Sequence, residues 1–162
     1  MSKAEASKSK GADVRFPPPL IYLIALAAGA AMNGWVLPLH FPFESGPFRT
    51  AVGCLLLVSG VAAIVMSFRH FQRTNQDPKP WKPTPEIIDT GIYGYSRNPM
   101  YLGMALMLTG FGFLFGNLWM LALVPVSLVL NHVIAVRPEE AYLEELFGEP
   151  YLAYKRRVRR WI

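Results

Sequence analysis

The chain has 162 residues, 52% of them hydrophobic and only 17% charged, with 16 basic against 11 acidic residues and a net charge of +5. A disordered polymer is polar and charge-rich, and an ordinary soluble domain carries about 25% charged residues, so the composition excludes the first and disfavours the second. The single cysteine, Cys54, excludes an intrachain disulfide.

Residues 1–15 are polar and carry Lys3, Lys8, Lys10 and Arg15. They do not read as a secretory signal. The small residues Ala27-Ala28-Gly29-Ala30-Ala31 fall inside the first apolar run, where they permit close helix packing. That run, 16–43, holds 28 residues without Asp, Glu, Lys or Arg; a second, 50–68, holds 19; a third, 98–136, holds 39. A membrane span needs about 20 apolar residues. The third run is about 58 Å long as a helix, so it fits two spans folded at Gly116-Asn117. The predicted spans are 18–38, 50–69, 99–115 and 118–136, and Cys54 inside the second reads as a small packing residue, with a catalytic thiol as the alternative. In the third, Gly112-x-x-x-Gly116 offers a helix contact, within the monomer or between copies.

The charges sort by side. Segments 1–15, 69–97 and 137–162 hold 15 of the 16 basic residues, and with four spans all three lie on one face. Only Arg49 falls on the other. The positive-inside rule then predicts both termini in the cytoplasm. Because the basic residues flank apolar spans and no nucleic-acid motif is present, the expected partners are membrane lipids and no nucleic acid.

Between the second and third spans, Pro78, Pro80, Pro83 and Pro85 exclude a regular helix, which leaves 72–98 as a cytoplasmic loop with Trp81 at the interface. The loop runs into Thr90-Gly91-Ile92-Tyr93-Gly94-Tyr95-Ser96-Arg97-Asn98-Pro99-Met100-Tyr101-Leu102-Gly103. Pro99 suits the first turn of a helix. Arg97 and Asn98 would then sit at its N-terminus, where free N–H groups and a charged fork suit a carboxylate or phosphate. Tyr93, Tyr95 and Tyr101 are interfacial anchors or pocket walls; Met100, Met104 and Met107 form a packing stripe. Asn131 and His132, near the end of the fourth span, are polar groups in an apolar place: functional candidates or interhelical hydrogen-bond partners.

The tail opens with Arg137-Pro138-Glu139-Glu140, a helix-start pattern, and Gly148-Glu149-Pro150 interrupts and restarts it. Leu143, Phe147, Tyr151, Tyr154, Val158 and Trp161 recur as an amphipathic stripe across the predicted C-terminal helices, 138–160. With five basic residues between 155 and 160, this segment lies on an anionic membrane surface, closes over the span ends, or does both. The expected fold is an all-α integral membrane protein: one membrane-embedded domain over 1–162, about four transmembrane helices, and an amphipathic C-terminal segment.

Two blocks carry a family resemblance. One is Gly91-x-Tyr93 followed by Arg97-Asn98-Pro99-Met100-Tyr101-x-Gly103. The other is Glu139-Glu140-x-x-Leu143, Phe147-Gly148-x-x-Tyr151-x-x-Tyr154 and Val158-x-Arg160. Together they resemble the isoprenylcysteine carboxyl methyltransferase family, which is similar to the phospholipid N-methyltransferases. The resemblance implies S-adenosylmethionine as cofactor, bound on the cytoplasmic side by Pro85, Glu86, Ile87 and Ile88, by Tyr93, by Asn98, Pro99, Met100 and Tyr101, and by Glu139. It implies a lipophilic or lipidated methyl acceptor, and no metal is expected.

Two departures from the family pattern matter. Asn98 stands where the family usually has His, and Asn takes no proton near neutral pH. Ala135 stands where isoprenylcysteine members carry an Arg near the substrate, and Arg137 lies two residues on. Methyl transfer from a sulfonium is an in-line displacement in which positioning supplies much of the acceleration. A carboxylate acceptor needs no base; an amine acceptor needs one, and Glu139, Glu140 and His132 are the candidates. Arg97, His132, Arg137 and Glu140 are thus the candidate catalytic residues. A reductase of sterol-like substrates using NADPH, and a non-catalytic membrane scaffold, are the alternatives.

Overall fold

The computed structural model describes residues 11–41 and 46–162. Lys3, Lys8 and Lys10 lie outside the described residues. The described chain is helical: α1 (Pro18–Ala31, prolonged by a wide π turn over Met32–Val36), α2 (Pro47–Arg73), α3 (Pro99–Phe115), α4 (Leu118–Asn131), α5 (Arg137–Phe147) and α6 (Glu149–Arg157). Three helical stretches, Pro18–Val36, Pro47–Arg73 and Leu118–Phe147, are long and apolar enough to cross a membrane, and Pro99–Phe115 is a shorter apolar helix. Among the described residues the protein is an all-helical membrane protein with four apolar helices, three of them long enough to span a bilayer.

Each helix begins where the sequence allows it. Pro18, Pro47 and Pro99 sit in the first turns of α1, α2 and α3, where a missing N–H costs nothing. The predicted turn between the third and fourth spans is present. Gly116 ends α3 in the left-handed region (φ +62°), and Asn117 caps α4, its Oδ1 accepting from the N–H groups of Trp119 and Met120. The Asn117 amide also donates to the Gly29 carbonyl at 2.9 Å, tying α1 to this turn. Arg49, the lone basic residue of that end, packs against Gly116 at the C-terminus of α3, where the helix dipole favours a cation. A Cβ on Gly112 would meet the Leu121 side chain at 2.7 Å, so this glycine serves packing within the monomer.

The helices α2 and α3 run antiparallel and approach through glycine. A Cβ on Gly60 would lie 2.6 Å from the Gly103 carbonyl oxygen, and one on Gly110 would lie 2.9 Å from that of Gly53. In this register, Pro99 comes level with Ile64, so α2 runs on about nine residues, or ~13 Å, beyond the start of α3. The α4–α5 stretch also overshoots, since 30 helical residues reach about 45 Å against a hydrocarbon core of about 30 Å. We take Leu118–Val136 as its membrane-spanning part. A short helix flanked by two long ones leaves a recess above the N-terminus of α3.

One expectation is refined here and one corrected. The helix start predicted at Pro138 is present, α5 beginning at Arg137, but α4 does not stop before it. A π turn, His132–Val136, carries α4 into α5, and the Arg137 N–H donates to the His132 carbonyl, so a widened turn absorbs the donor that proline lacks. The C-terminal helix also stops early. It breaks at Gly148 (φ +60°) as predicted but ends at Arg157, and Val158 turns extended (φ −114°, ψ 130°). The last residues are needed as backbone acceptors: Arg97 N–H donates to the Arg159 carbonyl at 3.0 Å and Asn98 Nδ2 to the Arg160 carbonyl at 3.0 Å. The tail straps the entry to α3.

Candidate active site

The recess above α3 is a cavity of about 840 Å³, counted to its open mouth. Its floor is Asn98–Tyr101 at the start of α3. Phe71 at the end of α2 forms one wall, and Glu139, Tyr142 and Leu143 on one face of α5 form another. Tyr151 and Tyr154 of α6 and the proline-rich loop close it over. The loop is held by Gln76, buried, whose Nε2 donates to the Glu86 carbonyl at 3.2 Å, and by Tyr142, whose hydroxyl accepts from Thr84 N–H at 3.2 Å. Residue Ala12 reaches the rim, its N–H donating to the Pro80 carbonyl at 2.8 Å.

The Gly91-x-Tyr93 element works by close approach. Gly91 is left-handed (φ +59°), and a Cβ there would lie 2.1 Å from His70 Nε2. That proximity lets Tyr93 pack edge-on against both His70 and Phe71, with ring centroids 6.1 and 6.0 Å apart. Tyr154 locks the turn by donating to the Tyr93 carbonyl at 2.8 Å.

Nine of the ten predicted cofactor residues line this one cavity: Glu86, Ile87, Ile88, Tyr93, Asn98, Pro99, Met100, Tyr101 and Glu139. Pro85 does not. Of the predicted catalytic set, only Arg97 lines it, while His132, Arg137 and Glu140 line a second cleft on the other face of α5. Arg97 is largely committed within the protein, only its Nε lacking a partner among the described residues. It is buried, with Nη2 on Glu140 at 2.9 Å and Nη1 donating to the Lys155 carbonyl at 3.1 Å. Glu140 is equally spent, taking Arg160 in a two-point grip at 2.9 and 2.7 Å besides Arg97. Asn98 anchors the tail, and Tyr95 is exposed. Sequence reasoning did not single out Gln76, Tyr142 or Ala12. The inward face of the amphipathic stripe was the available pointer to Leu143, Tyr151 and Tyr154.

Electrostatics separate the two adjacent acids. Glu139 has no cation partner among the described residues and accepts a short hydrogen bond from the Tyr101 hydroxyl. Burial pushes its carboxyl up to about 7, the Tyr101 hydrogen bond opposing the rise and the Glu140 charge adding to it. For Glu140 burial also pushes upward, but the Arg160 hydrogen bonds and the charges of Arg97, Arg160 and Lys155 outweigh it and hold the carboxyl below its ordinary value.

A second, wider groove adjoins the cavity. It is largely apolar, about 1420 Å³ with its open side, and runs between the start of α1, α2 (Ile64, Phe68) and α3 (Met100, Met104). Tyr101 and Met100 belong to both spaces.

The family model "phospholipid methyltransferase" matches residues 48–150, more than half of the chain. The chain belongs to the phospholipid methyltransferase family. It is 32% identical over 123 residues to the protein-S-isoprenylcysteine O-methyltransferase of Saccharomyces cerevisiae, covering 67% of this chain and 46% of that protein. The same-named protein of Schizosaccharomyces pombe is 36% identical over 74 residues, 44% of this chain and 30% of its own. An uncharacterized Haemophilus influenzae protein is 42% identical over 64 residues, 39% of this chain and the whole of that protein. The chain thus spans less than half the length of the two yeast relatives. No solved structure matches it.

Proposed function

We propose that this protein is an S-adenosylmethionine-dependent methyltransferase that modifies a lipid-like or lipidated acceptor from within the membrane, with its cavity and both termini on the cytoplasmic side. The carrying observation is that an aromatic, half-open cavity and a wider apolar groove share Tyr101 and Met100 at the membrane border. A water-soluble donor and a lipophilic acceptor would meet there. The yeast relatives are named as isoprenylcysteine O-methyltransferases, which supports an acceptor of that lipidated class.

The cavity fits the proposed cofactor. Its walls are largely apolar and aromatic, and Glu139 supplies a carboxylate that no cation among the described residues neutralises. Glu86–Ile88, Tyr93, Asn98–Tyr101 and Glu139 would hold S-adenosylmethionine, which when bound supplies an electrophilic methyl on a cationic sulfur. Tyr101 orients Glu139 through its hydroxyl. Tyr93, Tyr151 and Tyr154 keep water from the reacting end. For an amine acceptor, Glu139 also sits at a suitable pKa to take the released proton. The positive charge flanking the spans supports the cytoplasmic orientation.

The test is calorimetric titration of the detergent-purified protein with S-adenosylhomocysteine. Saturable one-site binding is expected, weakened several-fold by Glu139→Ala and by Tyr101→Ala. A folded wild-type protein that shows no saturable binding refutes the reading.

A further inference from the structure

The second cleft, on the far face of α5, is about 640 Å³ with its open side and is lined by His132, Arg137, Glu140, Ala141, Glu144 and Arg160. Its acids are already matched: Glu140 by Arg97 and Arg160, Glu144 by Lys155. Arg137 is exposed and has no ion-pair partner among the described residues. The His132 Nδ1 is buried and has no hydrogen-bond partner among the described residues. With those partners counted, the group holds four basic side chains (Arg97, Arg137, Lys155 and Arg160) against two acids, and Arg137 is the one with its donors unspent. The π turn makes this grouping, because its Arg137 N–H to His132 carbonyl bond stacks residue 137 directly over 132.

Below the cleft, on the membrane side, Val126, Val129, Leu130 and Val133 are all exposed. They form one apolar stripe on α4 that ends at Arg137, four residues beyond Val133. A cationic cleft at the end of a lipid-facing stripe is complementary to one kind of molecule: acyl chains along the stripe and a phosphate at its head.

We infer that the His132–Arg137–Arg160 cleft is a binding site for an anionic phospholipid, with the lipid phosphate held by Arg137 beside the His132 ring and the acyl chains laid along Val126–Val133. The site lies on the opposite face of α5 from Glu139 and does not depend on the methyl-transfer reading. The basic cleft faces the leaflet that carries anionic lipid in the proposed orientation.

Mixed micelles of the full chain with phosphatidylglycerol or phosphatidylcholine, read by native mass spectrometry, test this. Wild-type protein is expected to retain phosphatidylglycerol in preference to phosphatidylcholine. Arg137→Glu is expected to lower that retention at least about fivefold, the effect of about one basic residue at a membrane surface, and Arg137→Lys to restore most of it. If Arg137→Glu does not elute as folded protein, Arg137→Gln is read in its place. Equal retention of the two lipids by wild type, or wild-type retention of phosphatidylglycerol by the Arg137 and His132→Ala variants, overturns the proposal. Complete displacement of phosphatidylglycerol by millimolar inorganic phosphate also overturns it, because it would make this a site for free phosphate.

Discussion

Glu139 and Glu140 are consecutive residues of one helix, and the two faces of α5 give them opposite fates. The cavity face surrounds Glu139 with tyrosines and leaves it one hydroxyl partner and a carboxyl pushed up to about 7. The far face gives Glu140 two guanidiniums and holds its carboxyl down. A buried carboxylate without a cation is a vacancy for a cationic ligand; one gripped by two arginines is a clamp. The clamp matters because Arg97 precedes α3 and Arg160 lies in the terminal strap, so Glu140 ties the floor of the cavity to its cover.

The largest expected effect breaks this contrast at the clamp. Glu140→Ala strands two arginines, one of them deeply buried, and should cost about 3–5 kcal/mol of stability, measured by denaturant unfolding in detergent. Glu139→Gln should be neutral or stabilising in the same assay, since it removes a carboxyl that resists charging. Equal losses in the two variants would erase the distinction between the faces.

The next effect is on ligand affinity. Glu139→Gln should weaken binding of S-adenosylmethionine by about 1.5–3 kcal/mol, the scale of a hydrogen bond or contact to a charged group, read by calorimetry.

The pH dependence of stability should separate the acids by sign. Between the ordinary value of 4.5 and about 7, folded ligand-free protein keeps a proton on Glu139 that the unfolded chain has released. Its contribution to stability therefore falls as pH rises through that window, and Glu139→Gln flattens the fall. Glu140 acts the other way: its contribution is present above the ordinary carboxyl value and is lost as pH falls through its lowered one. Thermal unfolding across pH 4–8 in wild type and both variants checks this. The smallest effect is at the loop: Tyr142→Phe removes the acceptor for Thr84 N–H and should cost about 0.5–1.5 kcal/mol, seen as a lowered unfolding midpoint.

Much of this arrangement is legible in the sequence. Charge-free runs mark the spans because a charge inside a bilayer is costly, and Gly116-Asn117 is readable because a left-handed residue followed by a capping side chain is a common way to reverse a helix. The segments expected to hold a cofactor were marked by the family resemblance, and nine of those ten residues line one cavity. The rest depended on tertiary facts. Pro138 reads as a helix start, and nothing local reveals that a π turn lets α4 pass through it. That same turn sets which acid faces which side, so the candidate catalytic residues His132, Arg137 and Glu140 line a cleft apart from the cavity that holds Glu139. The stripe through Val158 and Trp161 has helical spacing, yet the strap gives up helix so that its carbonyls can receive Arg97 and Asn98. Ala12 was hidden because a small residue in a polar segment carries no sign of the loop it will touch.

The most direct test of the central claim is the ratio of affinities for S-adenosylmethionine and S-adenosylhomocysteine at pH 8, in wild type and Glu139→Gln. With Glu139 ionised and unmatched at the cavity wall, wild type should prefer the cationic ligand, and Glu139→Gln should bind both with that preference lost. An unchanged preference in Glu139→Gln, or no saturable binding of either ligand to folded wild type, would contradict it.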